Sequence, residues 1–109
     1  MNIRAKGRRA EIEMARLLQA MFGDGSKAGP SFQTDAQHQP DVDSPTLKSA
    51  MIHPEVKNHR KPQISDWIQQ ATNDCLEGET PLVFWKQPDG KGWVAIIRFD
   101  DLPKFIEHE

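Results

Sequence analysis

Glu55 and Lys57 are the two residues whose types and spacing are best suited to chemistry. The sequence predicts a strand over about 51–57, in which His53, Glu55 and Lys57 share one face. Residues two apart on a strand project from the same face, with Cα atoms about 6 to 7 Å apart. A carboxylate and an amine can therefore converge on one place, an arrangement that few structural roles need.

Asp41 provides a second carboxylate, within the segment Pro40-Asp41-Val42. A brief strand is predicted here, next to the strand that carries Glu55. Mg²⁺ is a hard cation that favours one or two carboxylates together with waters and substrate phosphates. Asp41 and Glu55 therefore predict an oxygen-lined Mg²⁺ site, with Lys57 beside the metal-bound water.

Glu11 is a third acidic candidate, on a helix predicted from about Ala5 to Phe22. Four apolar residues follow it on the same helical stripe, namely Met14, Ala15, Leu18 and Phe22. Glu11 should therefore point inward, whereas Glu13 should point outward between Arg9 and Arg16. Burying a glutamate costs free energy unless a cation or a donor satisfies it, so this position favours a function.

Hydrolysis of a phosphodiester needs groups of these types. The attacking water must lose a proton near neutral pH, the charge on phosphorus must be neutralised, and the leaving oxygen must be stabilised. A metal on Asp41 and Glu55 would supply the first two. Lys57 would orient the water or stabilise the phosphorane, and Glu11 would hold the metal through a water or bind a second ion. Each motif alone is common on protein surfaces, and their combination carries the prediction.

The elements that must position these residues predict a mixed sheet with flanking helices. Residues 23–30 should end the first helix, and the polar residues 31–48 should form a loop or a short strand around Phe32, then the brief strand at Asp41 and Val42, and then a turn. Pro54 removes a ladder N–H, which predicts an edge strand or a bulge. The later elements are a helix over 62–77, a hairpin from the runs 82–85 and 93–97, and a short helix near residue 100 that packs Leu102, Phe105 and Ile106 back onto the core.

Charge is unevenly divided along the chain, although the net charge is only −2. Residues 1–62 carry ten Lys or Arg against seven Asp or Glu, whereas residues 63–109 carry four against nine. This balance argues against a generic basic nucleic-acid binder, and yet it concentrates positive charge near the predicted site. The two basic clusters consist of Arg4, Lys6, Arg8 and Arg9, and of Lys57, Arg60 and Lys61.

Size and composition exclude several classes of protein. The 109 residues, 37% hydrophobic and 28% charged, predict one domain over 1–109 with one core. No apolar run approaches the roughly 20 residues of a membrane span, and no secretory signal is recognisable, so we expect a soluble cytoplasmic protein. Cys75 is the only cysteine. This excludes an intrachain disulfide and a zinc site of several cysteines, and predicts that oxygen or imidazole holds any metal.

The motifs together resemble a known family. Lys6-Gly7-x-x-x-Glu11, Pro40-Asp41-Val42 and Glu55-Val56-Lys57-Asn58 are similar to those of the PD-(D/E)XK nuclease superfamily, and within it to archaeal and phage-type Holliday-junction resolvases. The resemblance covers nearly the whole chain. It implies a restriction-endonuclease-like αβββαβ core, DNA endonuclease activity in recombination or repair, and dependence on Mg²⁺ or Mn²⁺.

The resemblance also assigns roles to residues. It implies that Asp41 bridges the metal, Glu55 is the second ligand, Lys57 is the catalytic lysine, Glu11 is the helical acidic residue and the Val56 carbonyl is a backbone ligand. A four-way DNA junction has near two-fold symmetry and needs paired cuts, so we expect a homodimer. Six basic residues would contact DNA phosphates without reading sequence: Arg4, Lys6, Arg8, Arg9, Arg60 and Lys61.

Alternatives to a junction resolvase remain open. One is a repair-type or general nuclease with the same chemistry, and others are a noncatalytic DNA-binding or phage-assembly module and a plain interaction protein. A histidine metal site from His38, His53 and His59 has little support, because none of their spacings is the i, i+4 helical spacing of zinc motifs. Trp67 is predicted in the core, whereas the hairpin residues Trp85 and Trp93 are open to stacking on bases. Gln63 and Gln70 would contact DNA only if their helix faces the cleft.

Overall fold

The first helix lies on one face of the central sheet. A computed structural model describes residues 3–30 and 39–106, with the backbone alone for residues 3–5. Helix α1 spans Ile3–Phe22, as predicted. It ends where Gly23 adopts a left-handed φ of 64° and donates its N–H to the Gln19 carbonyl at 2.8 Å. Its buried face consists of Ala10, Met14, Ala15 and Leu18.

Two short antiparallel strands follow, β1 (Lys27–Ala28) and β2 (Val42–Asp43). The Gly29 N–H extends the pairing by donating to the Asp41 carbonyl at 2.8 Å. A Cβ at Gly29 would lie 2.5 Å from the Pro40 carbonyl oxygen, so the close approach of the two segments requires glycine. The sequence predicts β2 to within one residue but does not predict β1. The predicted strand around Phe32 lies outside the described residues.

A short helix, α2 (Pro45–Ser49), lies where the sequence predicts only a turn. Ser44 precedes it and caps its first turn. Asp24, in the loop after α1, accepts hydrogen bonds from the Ser44 hydroxyl and the Thr46 N–H, both at 3.2 Å, and from Ser26. The bonds from Ser26 and Thr46 lower the pKa of Asp24 below its ordinary value, with those from Ser26 contributing most. The aspartate thereby joins the end of α1 to the start of α2.

The central sheet has three strands in the order β3-β4-β5. The elements from here on are β3 (Ile52–Lys57), α3 (Ile64–Asp74), β4 (Thr80–Lys86) and β5 (Trp93–Ile96). β3 and β4 are parallel, and β4 and β5 form the predicted antiparallel hairpin. α3 lies within the range predicted for the second helix. The structure confirms the predicted fold class, a mixed α/β sheet flanked by helices and consistent with a restriction-endonuclease-like core.

The two long helices cover opposite faces of this sheet. Leu82 and Phe84 of β4 pack in one cluster with Met14 of α1, whereas Val83 packs with Trp67 and Ala71 of α3. Alternate residues of a strand point to opposite faces, so α1 and α3 lie on different sides. On β3, the buried Ile52 belongs to the α1 cluster. The side chains of His53, Glu55 and Lys57 therefore lie on the α3 side.

Pro54 is accommodated because its backbone faces away from β4. The Met51 carbonyl accepts the Thr80 N–H at 2.8 Å, so odd-numbered residues of this segment direct their backbone groups to β4. The Pro54 carbonyl points the other way and accepts the Asp41 N–H at 3.2 Å. The prediction of an edge strand is therefore confirmed, but the missing N–H removes no bond from the ladder with β4.

A 3₁₀ helix over Phe99–Phe105 follows β5, where the sequence predicts a last short helix. Phe105 packs against the core as expected. Leu102 and Ile106 are 42% and 54% exposed, so the prediction that they pack back is wrong. The 3₁₀ helix instead buries the side chain of Asp101, whose carboxylate pairs with the Arg98 guanidinium at 3.1 Å. Among the described residues, no helix is both long and apolar enough to cross a membrane.

Candidate active site

Glu55 lies at the centre of a group of buried or half-buried carboxylates. Its side chain projects from β3 and is only 7% exposed. The carboxyl groups of Asp41 and Asp74 lie within hydrogen-bonding range of it. Burial raises the pKa of Glu55 far above the ordinary glutamate value, and the negative charges of Asp41 and Asp74 raise it further. The fold therefore makes a place where negative charge is costly and a cation would be stabilised.

Asp41 is held against the open edge of β3 by two hydrogen bonds. Its N–H donates to the Pro54 carbonyl at 3.2 Å, and its Oδ2 accepts the Val56 N–H at 2.8 Å. These bonds fix the carboxylate beside Glu55, which lies between Pro54 and Val56 in sequence. The Val56 carbonyl points to the same edge of β3 as the Val56 N–H, toward Asp41. A backbone metal ligand, its predicted role, would have to lie on this side.

Glu11 approaches Asp41 from α1. It is half-buried, and its pKa is raised to about 7, first by burial and then by the charge of Asp41. Arg8 opposes this shift, with its Nη1 at 3.5 Å from Glu11 Oε1. The predicted inward orientation of Glu11 is consistent with this position. The Glu13 side chain is 43% exposed, and its carboxylate binds Lys86 at 2.9 Å and the Trp93 indole N–H at 3.0 Å.

Lys57 is positioned by α3. Its Nζ donates to Gln70 Oε1 at 2.8 Å. Gln70 and Asp74 are four residues apart, so they lie on the same helical face, toward β3. The helix therefore contributes two polar groups beside Glu55 and Lys57.

Asp74 is a residue that sequence reasoning missed. It lies three residues after Ala71 and seven after Trp67, on the buried stripe of α3. A carboxylate on an apolar helical stripe is the signal that singled out Glu11, and applied to α3 it points to Asp74.

The donor set suits a hard divalent cation. Glu11, Asp41 and Glu55 supply carboxylate oxygens, and the burial and repulsion that raise two of their pKa values are what a cation would offset. Asp41 is already oriented by backbone bonds. The residues present therefore fit a Mg²⁺-type site.

The predicted phosphate-contacting residues differ in their surroundings. Arg8 donates to the Gly29 carbonyl and contacts Glu11, so it stabilises the site from within. Arg60 forms a bidentate pair with Asp89 on the surface, at 3.1 and 3.2 Å. Arg9 and Lys61 are exposed, and Lys6 lines a surface hollow with Asn58, His59 and Arg60. The side chains of Arg4 and His38 lie outside the described residues.

The tryptophans have structural partners. Trp67 is 4% exposed, which confirms the core prediction. The Trp85 indole N–H donates to the His59 carbonyl at 2.9 Å, and its ring packs on Trp67 at 5.6 Å between centroids. Trp93 is bonded to Glu13. The indole N–H of Trp93 therefore bonds the hairpin to α1, and that of Trp85 bonds it to the loop after β3.

Comparison with known proteins agrees with this arrangement. Residues 2–109 match the model of the family described as "Phage putative PDDEXK endonuclease". The chain belongs to this family. As a phage PD-(D/E)XK endonuclease, it is a nuclease whose substrate class is DNA, and such nucleases are generally dependent on divalent metals. No curated protein and no solved structure matches it.

Proposed function

We propose that this phage PD-(D/E)XK endonuclease is a Mg²⁺-dependent enzyme that cuts branched DNA, with a four-way junction as its substrate. The support for the catalytic part is that the charge of Asp41 acts on both Glu11 and Glu55, which come from separate segments of the chain, and that Lys57 shares a face of β3 with Glu55. We also propose that residues 1–109 form one nuclease domain. Mn²⁺ would serve in place of Mg²⁺, since both favour oxygen ligands.

The proposed roles follow from the surroundings of each group. Mg²⁺, when bound, lowers the pKa of water and neutralises charge on phosphorus. Asp41 and Glu55, together with the Val56 carbonyl, would hold the ion, and Glu11 would hold it through a water or bind a second one. Lys57 would orient the attacking water or stabilise the phosphorane oxygen, with Gln70 positioning its amine.

Phosphate binding would come from the basic residues around this edge of the sheet. Lys6, Arg60 and Lys61 lie near the end of β3, the strand that carries Glu55 and Lys57. Arg9 and Arg4, on α1, would extend this surface, whereas Arg8 would act mainly through Glu11. Such contacts grip DNA without reading its sequence. They suit an enzyme that recognises the shape of its substrate.

A homodimer is the assembly we propose for paired cuts in a two-fold symmetric junction. Its support is an apolar groove of about 570 Å³ between the second half of α1 and β5. Three large apolar side chains are exposed beside it, namely Leu17, Met21 and Phe22. An exposed apolar patch of this kind suits a second copy of the chain, because two equivalent α1 faces bury each other across a two-fold axis.

The test is cleavage of a labelled four-way junction beside linear duplex and flap DNA, with Mg²⁺, with Mn²⁺ and with EDTA. We expect symmetric, metal-dependent nicks in the junction that disappear in Glu55→Gln and Lys57→Ala. Glu77→Gln and Lys91→Ala change exposed groups and should cut like the wild type. Equal cutting of all substrates would indicate a general nuclease. Binding without cleavage in either metal would indicate a noncatalytic module and overturn the proposal.

A further inference from the structure

His53, Cys75 and Glu79 form a second cluster on the α3 side of the sheet. One ligand atom from each residue lies within 4.8 Å of the other two. His53 comes from β3, and the other two come from the turn between α3 and β4. The cluster brings together nitrogen, sulfur and oxygen, whereas the site around Asp41 offers oxygen only.

The His53 ring has one nitrogen without a hydrogen bond. His53 is 1% exposed, and its Nδ1 is the buried side-chain nitrogen or oxygen left without a hydrogen-bond partner in residues 3–30 and 39–106. This atom faces the cluster, with Glu79 Oε1 at 3.5 Å. A buried nitrogen without a hydrogen bond costs free energy, so a ligand bound at this atom would stabilise the fold. Nε2, on the other side of the ring, lies 3.0 Å from Glu55 Oε1.

The turn that carries the other two groups is held rigidly. The Leu76 N–H donates to Glu79 Oε1 at 2.6 Å, and the Glu79 N–H donates to the Leu76 carbonyl at 3.0 Å. The Thr80 N–H then bonds to the Met51 carbonyl at 2.8 Å, which ties the turn to the start of β3. The Glu79 oxygen that faces His53 is thus oriented in advance, as metal-binding carboxylates usually are.

We infer that His53 Nδ1, Cys75 Sγ and a Glu79 carboxylate oxygen form a binding site for a borderline-soft divalent cation, best matched by Zn²⁺. Zn²⁺ takes nitrogen, thiolate and carboxylate ligands in tetrahedral geometry. Bond lengths of about 2.0 to 2.3 Å place neighbouring ligands about 3.3 to 3.7 Å apart. The 3.5 Å between His53 Nδ1 and Glu79 Oε1 already has this value.

Charge in the cluster also favours a cation. Burial raises the pKa of the Cys75 thiol, and the negative charges of Glu79, Glu55 and Asp74 raise it further. The thiolate is therefore disfavoured when no cation is present. The same negative groups attract a divalent ion, which binds as the thiol releases its proton to solvent and a sulfur–metal bond forms. A hollow lined by Pro54, Leu76 and Glu79 leaves room for water as the fourth ligand.

The new site would position Glu55. With Nδ1 on the cation, Nε2 carries the ring proton and donates a hydrogen bond to Glu55 Oε1, an arrangement common around metal-bound histidines. His53 is therefore a positioning residue between two ions of different chemistry. Binding at Cys75 stands independently of the proposed cleavage of junctions.

The test uses Co²⁺, which reports sulfur ligation by absorption. Full-length protein, reduced and freed of metal by chelation, is titrated with Co²⁺. We expect a thiolate-to-cobalt charge-transfer band that saturates at one equivalent and is abolished by excess Zn²⁺. Oxygen ligands cannot produce this band, so a Co²⁺ ion at Asp41 does not imitate it. Cys75→Ser should abolish the band, and Glu79→Gln should weaken Co²⁺ binding at least about tenfold.

Asp41→Asn is the matched control, because it alters the oxygen site and leaves the three ligands intact. We expect it to retain the band while losing DNA cleavage. Circular dichroism of each variant verifies that it is folded. Absence of the band in folded wild-type protein, or its persistence in Cys75→Ser, would overturn the site. Wild-type protein that shows the band but does not cut a four-way junction would instead reject the proposed function alone.

Discussion

At the scale of single residues, the buried Glu55 lowers the folding stability of the protein by an amount that depends on pH. Its pKa is higher in the folded chain than in the unfolded chain because of burial and the nearby Asp41 and Asp74. Below pH 4.5, its ordinary value, both states hold the proton and the difference vanishes. As pH rises above 4.5, the unfolded state loses the proton first. Folding stability in EDTA therefore falls as pH rises from 4.5 toward about 10, the pKa of Glu55 in the folded chain.

Glu55→Gln removes this charge while keeping a carbonyl oxygen for His53. We expect the variant to be more stable than the wild type in EDTA at about pH 8, by on the order of 2 kcal/mol, and to be inactive. The two proteins should converge near about pH 4. Thermal unfolding across this range measures the effect. A variant less stable than the wild type at the alkaline end would contradict the assigned cause of the pKa shift.

Gln70→Ala tests how α3 positions the amine of Lys57, the proposed catalytic lysine. The substitution removes the 2.8 Å hydrogen bond between Lys57 Nζ and Gln70 Oε1, and an exposed bond of this kind contributes about 1 kcal/mol. We expect kcat to fall about fivefold, with KM nearly unchanged. Gln69→Ala, one position away, removes an exposed bond to Asn73 and serves as the control. Equal effects of the two changes would show that Lys57 does not depend on Gln70.

At the scale of elements, Gly29 determines where Asp41 lies. An added Cβ would meet the carbonyl oxygens of Pro40 and Asp41 at 2.5 and 3.0 Å, which forces the two segments apart. Gly29→Ala should lower the free energy of unfolding by about 1 to 3 kcal/mol and reduce cleavage as Asp41 moves. Gly25→Ala meets no atom within 4 Å and is the matched control. Urea unfolding and a cleavage assay measure both effects, and a Gly29→Ala protein as active as the control would count against this role.

Elements with a long periodic pattern were predictable from the sequence, and elements fixed by contacts were not. The stripes of α1 and α3 and the alternation in β3 are local patterns, so they also placed Glu11 and Glu55. α2 and β1 are short and depend on bonds such as those of Asp24 and Gly29, which join distant segments. The grouping of His53 with Cys75 has the same origin, because the two residues come from a strand and a turn and share no helical spacing.

At the scale of the whole molecule, substitutions on the exposed apolar side of α1 test the proposed dimer. Replacing Leu17 and Met21 with glutamate places two charges in the proposed interface, at a cost of about 2 kcal/mol or more for each. We expect light scattering to show a dimer for the wild type and a monomer for this double variant, and circular dichroism to show that the variant is folded. Gln69→Glu, on the exposed side of α3, should remain dimeric. A monomeric wild type would reject the homodimer.

Pro54 and Asp41 also protect the molecule against aggregation. A sheet with an open edge invites a strand from another chain, which would pair with its free backbone groups. On the open edge of β3, Pro54 has no N–H to donate, and the Val56 N–H is already bonded to Asp41. A foreign strand cannot extend the sheet there without displacing the aspartate. The edge beside Glu55 thus resists fibril-like stacking of the protein on itself.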